Sequence, residues 1–369
     1  MRICIVYDCL FPWTIGGAER WYRNIALRLA AAGHDVTYLT LCQWDADDAP
    51  ALPGVRVVAV GPRMALYVGH TRALWPPVRF GIGVGWHLLR HGRRYDQVHT
   101  ASFPFFSLLA AGALRRWRGY RLSVDWHEVL SNDYWRRYLG RLGTVGAWVQ
   151  RRCARIDQHA FVFSDLHRRR ALALGVAGPV ERLTGEYDGP DHDAQGPTDP
   201  PTFVYAGRMI AEKRVGLLID ALALAMTRRP GVVATLFGRG PEYAAMQARV
   251  ASLGLTDRIG LPGFVDQATI DAAMAGAVAI VQPSARGVPA IVVPAADNAA
   301  VELVHDGING YMARDATPEA LADALLNCLG NAAALRASTR VWYAAHRTEL
   351  SIEASVARLL AVFQATRRD

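Results

Sequence analysis

Residues 2–41 run RICIVYDCLFPWTIGGAERWYRNIALRLAAAGHDVTYLTL. After Arg2 the segment 2–7 is continuously apolar, the composition of a strand covered on both faces. A loop carrying Pro12, Gly16 and Gly17 follows, and from Ala18 the apolar positions Trp21, Ile25, Leu29 and Ala32 recur at helical spacing. Gly33 stops that run, and 36–41 is a second strand. Strand, helix and strand in this order form a unit of parallel-sheet type.

Working outward, further strand candidates are 55–60, 97–100, 121–124 and 160–163, so the first half reads as an open α/β sheet. Residues 183–201 turn polar and are broken by four prolines and three glycines, as a linker would be. After them the pattern restarts: strand 202–205, helix 215–226, strand 232–237, a Gly-rich turn, helix 242–253, strand 258–261, helix 268–275, strand 278–281. No short-period repeat relates the halves. The expected class is therefore α/β, with domains at 1–183 and 201–345, a linker at 184–200, and a C-terminal helix in 346–369.

Composition agrees. The 369 residues are 51% hydrophobic and 20% charged, too apolar for disorder and long enough for two domains of ~150 residues. Residues 1–185 hold 25 Arg against 13 acidic residues, while 186–369 hold 16 basic against 20 acidic, so the halves are built for different partners. Cys4, Cys9, Cys42, Cys153 and Cys328 are scattered without CxxC or Cys/His clustering, which argues against a disulfide framework and against a zinc site. Met1-Arg2 leads directly into the first strand with no leader pattern, and the longest uncharged stretch, 98–114, is interrupted by polar residues and proline. A cytoplasmic protein without a membrane span is expected.

Four segments carry chemistry. Arginine fills 40 of the 41 strongly basic positions, so the lone Lys213 in Gly207-Arg208-Met209-Ile210-Ala211-Glu212-Lys213 points to a site that wants a compact ammonium. Arg208 and Lys213 fall between a strand end and a helix start, where open α/β sheets bind ligands, and together they suit a diphosphate. A surface ion pair of Lys213 with Glu212 is the plainer reading. Gly238-Arg239-Gly240-Pro241-Glu242 also joins a strand to a helix, as phosphate loops do, although Gly-Pro is ordinary turn chemistry. Gly16-Gly17-Ala18-Glu19 opens the first helix with free amides that favour an anion, but it lacks the third glycine and the later acidic residue of a dinucleotide fingerprint. Asp125-Trp126-His127-Glu128 follows a strand and gathers three proton-handling groups at its C-terminal end. Its alternative is a helix start capped by Asp125 with Glu128 completing the box.

Taken with Leu261-Pro262-Gly263-Phe264-Val265, Gln282-Pro283-Ser284 and Val301-Glu302 through Asn309-Gly310, these motifs resemble, in order across both halves, the family 4 retaining glycosyltransferases of GT-B fold. The resemblance implies two Rossmann-like domains facing across a cleft. A nucleotide-sugar donor is then held by the second, an acceptor (glycan, lipid-linked or small molecule) by the first, and the C-terminal helix crosses back onto the first. It implies a diphosphate-binding pair in Arg208 and Lys213, and a sugar-side histidine in His127. It gives donor contacts from Gly16, Gly17, Gly207, Gly238, Gly240, Phe264, Val265 and Glu302, and an acceptor side with Glu19, Asp125 and Glu128. It implies neither metal nor other cofactor, the cations standing in for a metal.

One departure matters. The family places two glutamates eight positions apart, the second in a helix, where this chain runs from Pro283-Ser284-Ala285-Arg286 directly into Gly287-Val288-Pro289. Strands at 278–281 and 290–293 need a crossover of a dozen or more residues if they are parallel neighbours. Eight residues lie between them, so the spacing predicts a segment omitted between Arg286 and Gly287, or unusual pairing. The main expectation is a sugar-transferring enzyme; the alternative is a catalytically inactive nucleotide-sugar-binding or scaffolding homologue. The basic stretch 134–155, with Tyr134, Tyr138, Leu142 and Trp148 on one side, and Arg115-Arg116-Trp117-Arg118 suggest peripheral contact with the inner membrane face, against a merely solvated arginine face. No nucleic-acid-binding module accompanies the charge.

Overall fold

The computed structural model describes residues 1–68, 71–73, 75–188, 197–281 and 288–365. Two compact units emerge: Met1–Asp188 with Ser351–Asp369, and Gly189–Leu350. In chain order the first contains β1 (Arg2–Val6), α1 (Gly17–Ala31), β2 (Asp35–Thr40), β3 (Val55–Ala59), β4 (Tyr67–Val68), β5 (Thr71–Arg72), α2 (Trp75–His91), β6 (Gln97–Ala101), α3 (Phe106–Arg118), β7 (Arg121–Trp126), α4 (Asn132–Leu139), α5 (Gly143–Ala154), β8 (His159–Val162), α6 (Asp165–Leu174) and β9 (Val180–Arg182). Seven of these strands form one parallel sheet in the order β3-β2-β1-β6-β7-β8-β9, and β4 and β5 make a separate antiparallel ribbon.

The apolar run 3–6 becomes the buried centre of that sheet, with Ile3, Cys4, Ile5 and Val6 closed off from solvent on both faces. Helix α1 turns Trp21, Tyr22, Ile25, Ala26 and Leu29 onto the sheet, the face that the 3.6-residue spacing dictates. The unit is completed by the C-terminal helix α12 (Ile352–Ala365), which buries Ile352, Ser355, Leu359 and Phe363 there. Burying Leu359 and Phe363 stabilises by roughly 1.5–3 kcal/mol each. Polar contacts fix the register: Gly185 N donates to Ser355 Oγ at 3.1 Å, and Arg28 Nη2 lies 2.8 Å from Glu353 Oε1.

The stretch 134–155 is not one helix. Gly140, at φ +55°, ends α4, a 3₁₀ turn Gly140–Leu142 follows, and α5 begins at Gly143. Of the four residues on the side read from sequence, Tyr134 and Tyr138 are half-buried and stacked on each other in α4, while Leu142 and Trp148 are exposed on the turn and on α5, so they do not form one helical stripe.

The second unit comprises β10 (Thr202–Ala206), α7 (Val215–Arg228), β11 (Val233–Phe237), α8 (Tyr243–Ser252), β12 (Ile259–Gly263), α9 (Gln267–Gly276), β13 (Ala279–Val281), β14 (Ala290–Val292), β15 (Gly310–Met312), α10 (Pro318–Gly330) and α11 (Ala332–Leu350). Its six strands are parallel in the order β12-β11-β10-β13-β14-β15. Helices α7 and α10 share one apolar cluster through Ala221, Leu222, Ala225, Leu321, Ala324 and Leu325. Strands β13 and β14 are parallel neighbours, with Ile280 opposite Ala290 and Val281 opposite Ile291. Each has only three residues, so the return path is about 10 Å, within the reach of eight residues at ~3.3 Å each. The Arg286–Gly287 junction lies outside the described residues, as does 189–196 of the expected linker.

Candidate active site

Strands β10, β11 and β12 end at one edge of the second sheet, and backbone hydrogen bonds knit the loops beyond them. Gly207 N donates to Phe237 O at 3.1 Å and Gly238 N to Gly263 O at 2.8 Å; farther out, Met209 N donates to Arg239 O at 3.0 Å and Glu242 N to Met209 O at 3.1 Å. This closeness explains the glycines. A Cβ on Gly238 would lie 2.9 Å from the Gly207 carbonyl carbon, and one on Gly240 2.8 Å from that of Met209. Gly238 also sits at φ +121°.

On this platform the Tyr205 hydroxyl donates to Arg208 O at 3.0 Å, fixing the backbone from which the exposed Arg208 side chain projects. Lys213 is exposed in a 3₁₀ turn, Ala211–Lys213, and Arg214 at φ +49° turns the chain into α7. Two cations beside a fourteen-residue helix's N-terminus make a strong anion-binding edge. Sequence reasoning missed a third: exposed Arg239 lies against Gly263, with its guanidinium 5.0 Å from the Tyr243 ring centre. Phe264 is 59% exposed next to it, and Val265 is half-buried. Glu302 occupies a 3₁₀ turn, Ala299–Leu303, in the loop after β14. Asn309 holds that loop, accepting from His305 N at 2.7 Å and donating to Leu303 O at 2.8 Å.

In the first unit the C-terminal ends of β1 and β7 flank β6. Gly16 is the N-cap of α1, Gly17 begins the helix and Glu19 stands in its first turn. The helix is pinned to β7, because Trp21 Nε1 donates to Asp125 Oδ2 at 2.8 Å. A polar chain runs beneath: Gln97 Nε2 donates to Ser123 Oγ (2.7 Å), and Ser123 Oγ bonds His99 Nδ1 (2.8 Å). His99 Nε2 in turn bonds Asp125 Oδ2 (3.0 Å). With Ser123 as donor to Nδ1, His99 carries its proton on Nε2 and faces an ionised Asp125. Burial alone would raise the Asp125 carboxyl, but His99, His127 and the Trp21 N–H hold it below its ordinary value.

His127 follows at once. Its ring stacks on Phe163 at 4.3 Å between centres, meets Tyr22 edge-on, and puts Nε2 4.0 Å from Asp125 Oδ2. Burial of the ring lowers its pKa, keeping it neutral near pH 7. Glu128 is exposed beside it. The helix-cap reading of Asp125 and Glu128 fails: Asp125 is a strand residue, fully buried, and Ser131 caps α4, accepting from Tyr134 N at 3.1 Å. Asp125 is fully buried, and its side chain meets Trp21, His99 and, at 4.0 Å, His127. Trp21, Tyr22, His99 and Phe163 escaped sequence reasoning, yet one signal was available. Gln97 and His99 alternate on one strand, Ser123 and Asp125 on its neighbour, and the register pairs them on a shared face.

Two parallel sheets with helices, each carrying its ligand loops at the strands' C-terminal ends, define the GT-B class of group-transfer enzymes. Residues 16–184 match the glycosyl transferase 4-like domain, and residues 200–331 match glycosyl transferases group 1. The chain belongs to the group 1 glycosyltransferases. It is 26% identical over 323 residues to the 2-deoxystreptamine N-acetyl-D-glucosaminyltransferase of Streptomyces fradiae, covering 76% of this chain and 73% of that one. Another curated relative is matched over only 16% of its own length. Sucrose-phosphate synthase from Thermosynechococcus elongatus shares the fold at a TM-score of 0.80 with 18% identity, covering 100% of this chain and 99% of that one. Anabaena HepE, solved with UDP and glucose, does so at 0.72 with 16% identity and 99% of each chain.

Proposed function

We propose that this glycosyltransferase is a retaining enzyme that moves a sugar from an NDP-sugar to an acceptor hydroxyl in the cytoplasm. The observation that carries the reading is the glycine-knit edge of β10, β11 and β12, which presents Arg208, Lys213 and Arg239 beside the start of α7. A diphosphate is the ligand whose charge and size such an edge suits. The neighbour solved with UDP and glucose supports a nucleotide-linked donor.

In the proposed reaction the bond between C1 of the sugar and the β-phosphate oxygen breaks, and the acceptor oxygen bonds to C1 on the same face. The acceptor's proton passes to the departing phosphate, so no protein nucleophile is required. Arg208 and Lys213 stabilise the charge that grows on that phosphate and take the place of a metal. Phe264 and Val265 border the base, Glu302 and the amides of Gly16 and Gly17 bind the donor, and neutral His127 accepts from a sugar hydroxyl. Glu19 and Glu128 stand on the acceptor side.

A second reading, a binding homologue without turnover, is favoured by one observation: the sequence between β13 and β14 lacks the paired glutamates. Chromatographic detection of nucleoside diphosphate separates the two. UDP-, GDP- and dTDP-sugars are incubated with and without acceptors, 2-deoxystreptamine among them. Release only with an acceptor supports the enzyme, and binding without release under every pairing supports the homologue. Arg208→Ala and Lys213→Ala are each expected to cost several kcal/mol in kcat/KM with unchanged unfolding temperature. An inverted anomeric proton coupling in the product would refute retention.

A further inference from the structure

We infer that the outer face of the α2–α3 pair is a docking surface for an anionic lipid bilayer. The two helices run parallel and nearly touch: a Cβ on Gly81 would lie 2.6 Å from Phe106 Cβ, and one on Gly85 3.5 Å from Ala110 Cβ. Each bears the same pattern on its outer side. On α2, Trp75, Ile82 and Trp86 are spaced seven and four apart; on α3, Phe106, Ala113 and Trp117 repeat that spacing. The close approach merges the two stripes into one face. Trp75 and Trp117 are each 59% exposed and Trp86 56%, unusual for the residue type that most rewards burial.

The charge around this face decides what covers it. Arg90 stacks on Trp86 at 4.1 Å and Arg118 on Trp117 at 3.9 Å, so two of the three exposed indoles carry a cation. Arg93, Arg94 and Arg116 are exposed close by, and neither helix contains an acidic residue. A second copy of the chain would set these arginines against one another, and a neutral protein surface would leave them unpaired. A bilayer rich in acidic headgroups satisfies both components, since indoles enter the interfacial layer while guanidiniums on long stems meet phosphates. The surface extends from Phe106, just beyond the C-terminal end of β6, along both helices. It is thus continuous with the edge of the sheet that carries His127.

The docking does not depend on the proposed chemistry; only its consequence, delivery of a membrane-borne acceptor, rests on that reading. The test is flotation of the full chain with vesicles of phosphatidylcholine and phosphatidylglycerol (7:3) or of phosphatidylcholine alone, in 0.1 M salt. Binding is expected only to the anionic vesicles, with a blue shift in tryptophan emission and weakening at 0.5 M salt. Arg90→Gln with Arg116→Gln should lower the partition coefficient roughly tenfold or more, from about fivefold per charge near the surface. Trp86→Ser with Trp117→Ser should abolish the blue shift. Leu142→Ser with Trp148→Ser, exposed on the neighbouring turn and α5, should leave binding intact. Nucleotide affinity, measured separately by calorimetry with UDP, GDP and dTDP, should be the same in all variants, so a chain that binds none of the three refutes the donor reading and not the surface. Equal binding to neutral vesicles, loss of binding only in the Leu142/Trp148 variant, or retention of RNA in place of vesicles would overturn the inference. So would a dimer that the Trp86/Trp117 variant dissociates.

Discussion

Alanine at Gly238 should damage the second unit far more than one methyl group normally does. Its Cβ would lie 2.9 Å from the Gly207 carbonyl carbon and nearer still to the oxygen, whereas carbon atoms pack at about 3.5–4.0 Å. To make room, the β10 and β11 loops must part by more than half an ångström. That strains the bonds from Gly207 N to Phe237 O (3.1 Å) and from Gly238 N to Gly263 O (2.8 Å), about 1 kcal/mol each. Alanine at φ +121° adds about 1–2 kcal/mol. The total, about 3–4 kcal/mol, corresponds to roughly 10 °C for a unit of this size. If the loop yields instead of the sheet, the loss moves to the anion edge, because the same bonds hold Arg208 and Arg239 in place. Differential scanning calorimetry and UDP titration of the full chain read both outcomes. Gly330→Ala is the control: a Cβ there meets nothing within 4 Å, and α10 should gain up to about 0.5–1 kcal/mol. Gly238→Ala with the unfolding temperature and UDP affinity of the unaltered chain would refute the close-approach argument.

His127→Asn should keep at least about tenfold more kcat/KM than His127→Gln, because Nε2 faces Asp125 and Nδ1 is the nitrogen left for substrate, the position an Asn amide reproduces. Equal losses would remove the assigned orientation. Burial, aided by the charges of His91, Arg56 and Arg94, lowers the His87 pKa to about 4, below an unfolded value of about 6.5. Between those values the unfolded chain binds the extra proton, so stability present above pH 6.5 should fall by on the order of 2 kcal/mol as pH drops towards 4; denaturant melts of His87→Phe should show a flatter profile. Arg336, buried and donating to the carbonyls of Ala275 (3.1 Å) and Ala277, should cost about 3 kcal/mol when replaced by alanine in urea unfolding.

Much of this architecture could be read before any coordinates, and the reason is periodicity. The short apolar runs 3–6 and 278–281, rich in β-branched residues, fit covered strands, and Trp21, Ile25, Leu29 and Ala32, spaced four, four and three, share a face in a helix and not in a strand. The short β9 and β15 were missed because Val180-Glu181-Arg182 and Gly310-Tyr311-Met312 lack the continuous apolar run that marks the equally short β13 and β14. In the candidate site the role of Arg239 was not legible, but the glycines of Gly207–Lys213 and Gly238–Glu242 and the cations Arg208 and Lys213 were, since each lies in a local motif. Their interlock was not, because Met209 meeting Arg239 and Glu242 depends on two loops thirty residues apart. His99 was hidden for the same reason: in sequence it is one polar residue in a strand, and only its register with Ser123 makes it a partner of Asp125. The stretch 134–155 read as one helix because its spacing is helical, but Gly140 breaks it and leaves Tyr134 and Tyr138 on a different element from Trp148.

The β13–β14 connection bears on how a donor would be held. The strands are parallel neighbours, and eight residues are fewer than a helix-bearing crossover uses. The eight residues of this connection include no carboxylate to hold sugar or ribose hydroxyls. On the proposed reading, the negative charge falls to Arg208, Lys213, Arg239 and the first turn of α7. Affinity should then be dominated by the diphosphate rather than by the sugar. UDP and UDP-sugar should bind with similar strength, and binding should weaken steeply with added salt, because charge pairing at an exposed edge is screened. A sugar nucleotide bound a hundredfold more tightly than UDP would require hydroxyl contacts from residues outside this set.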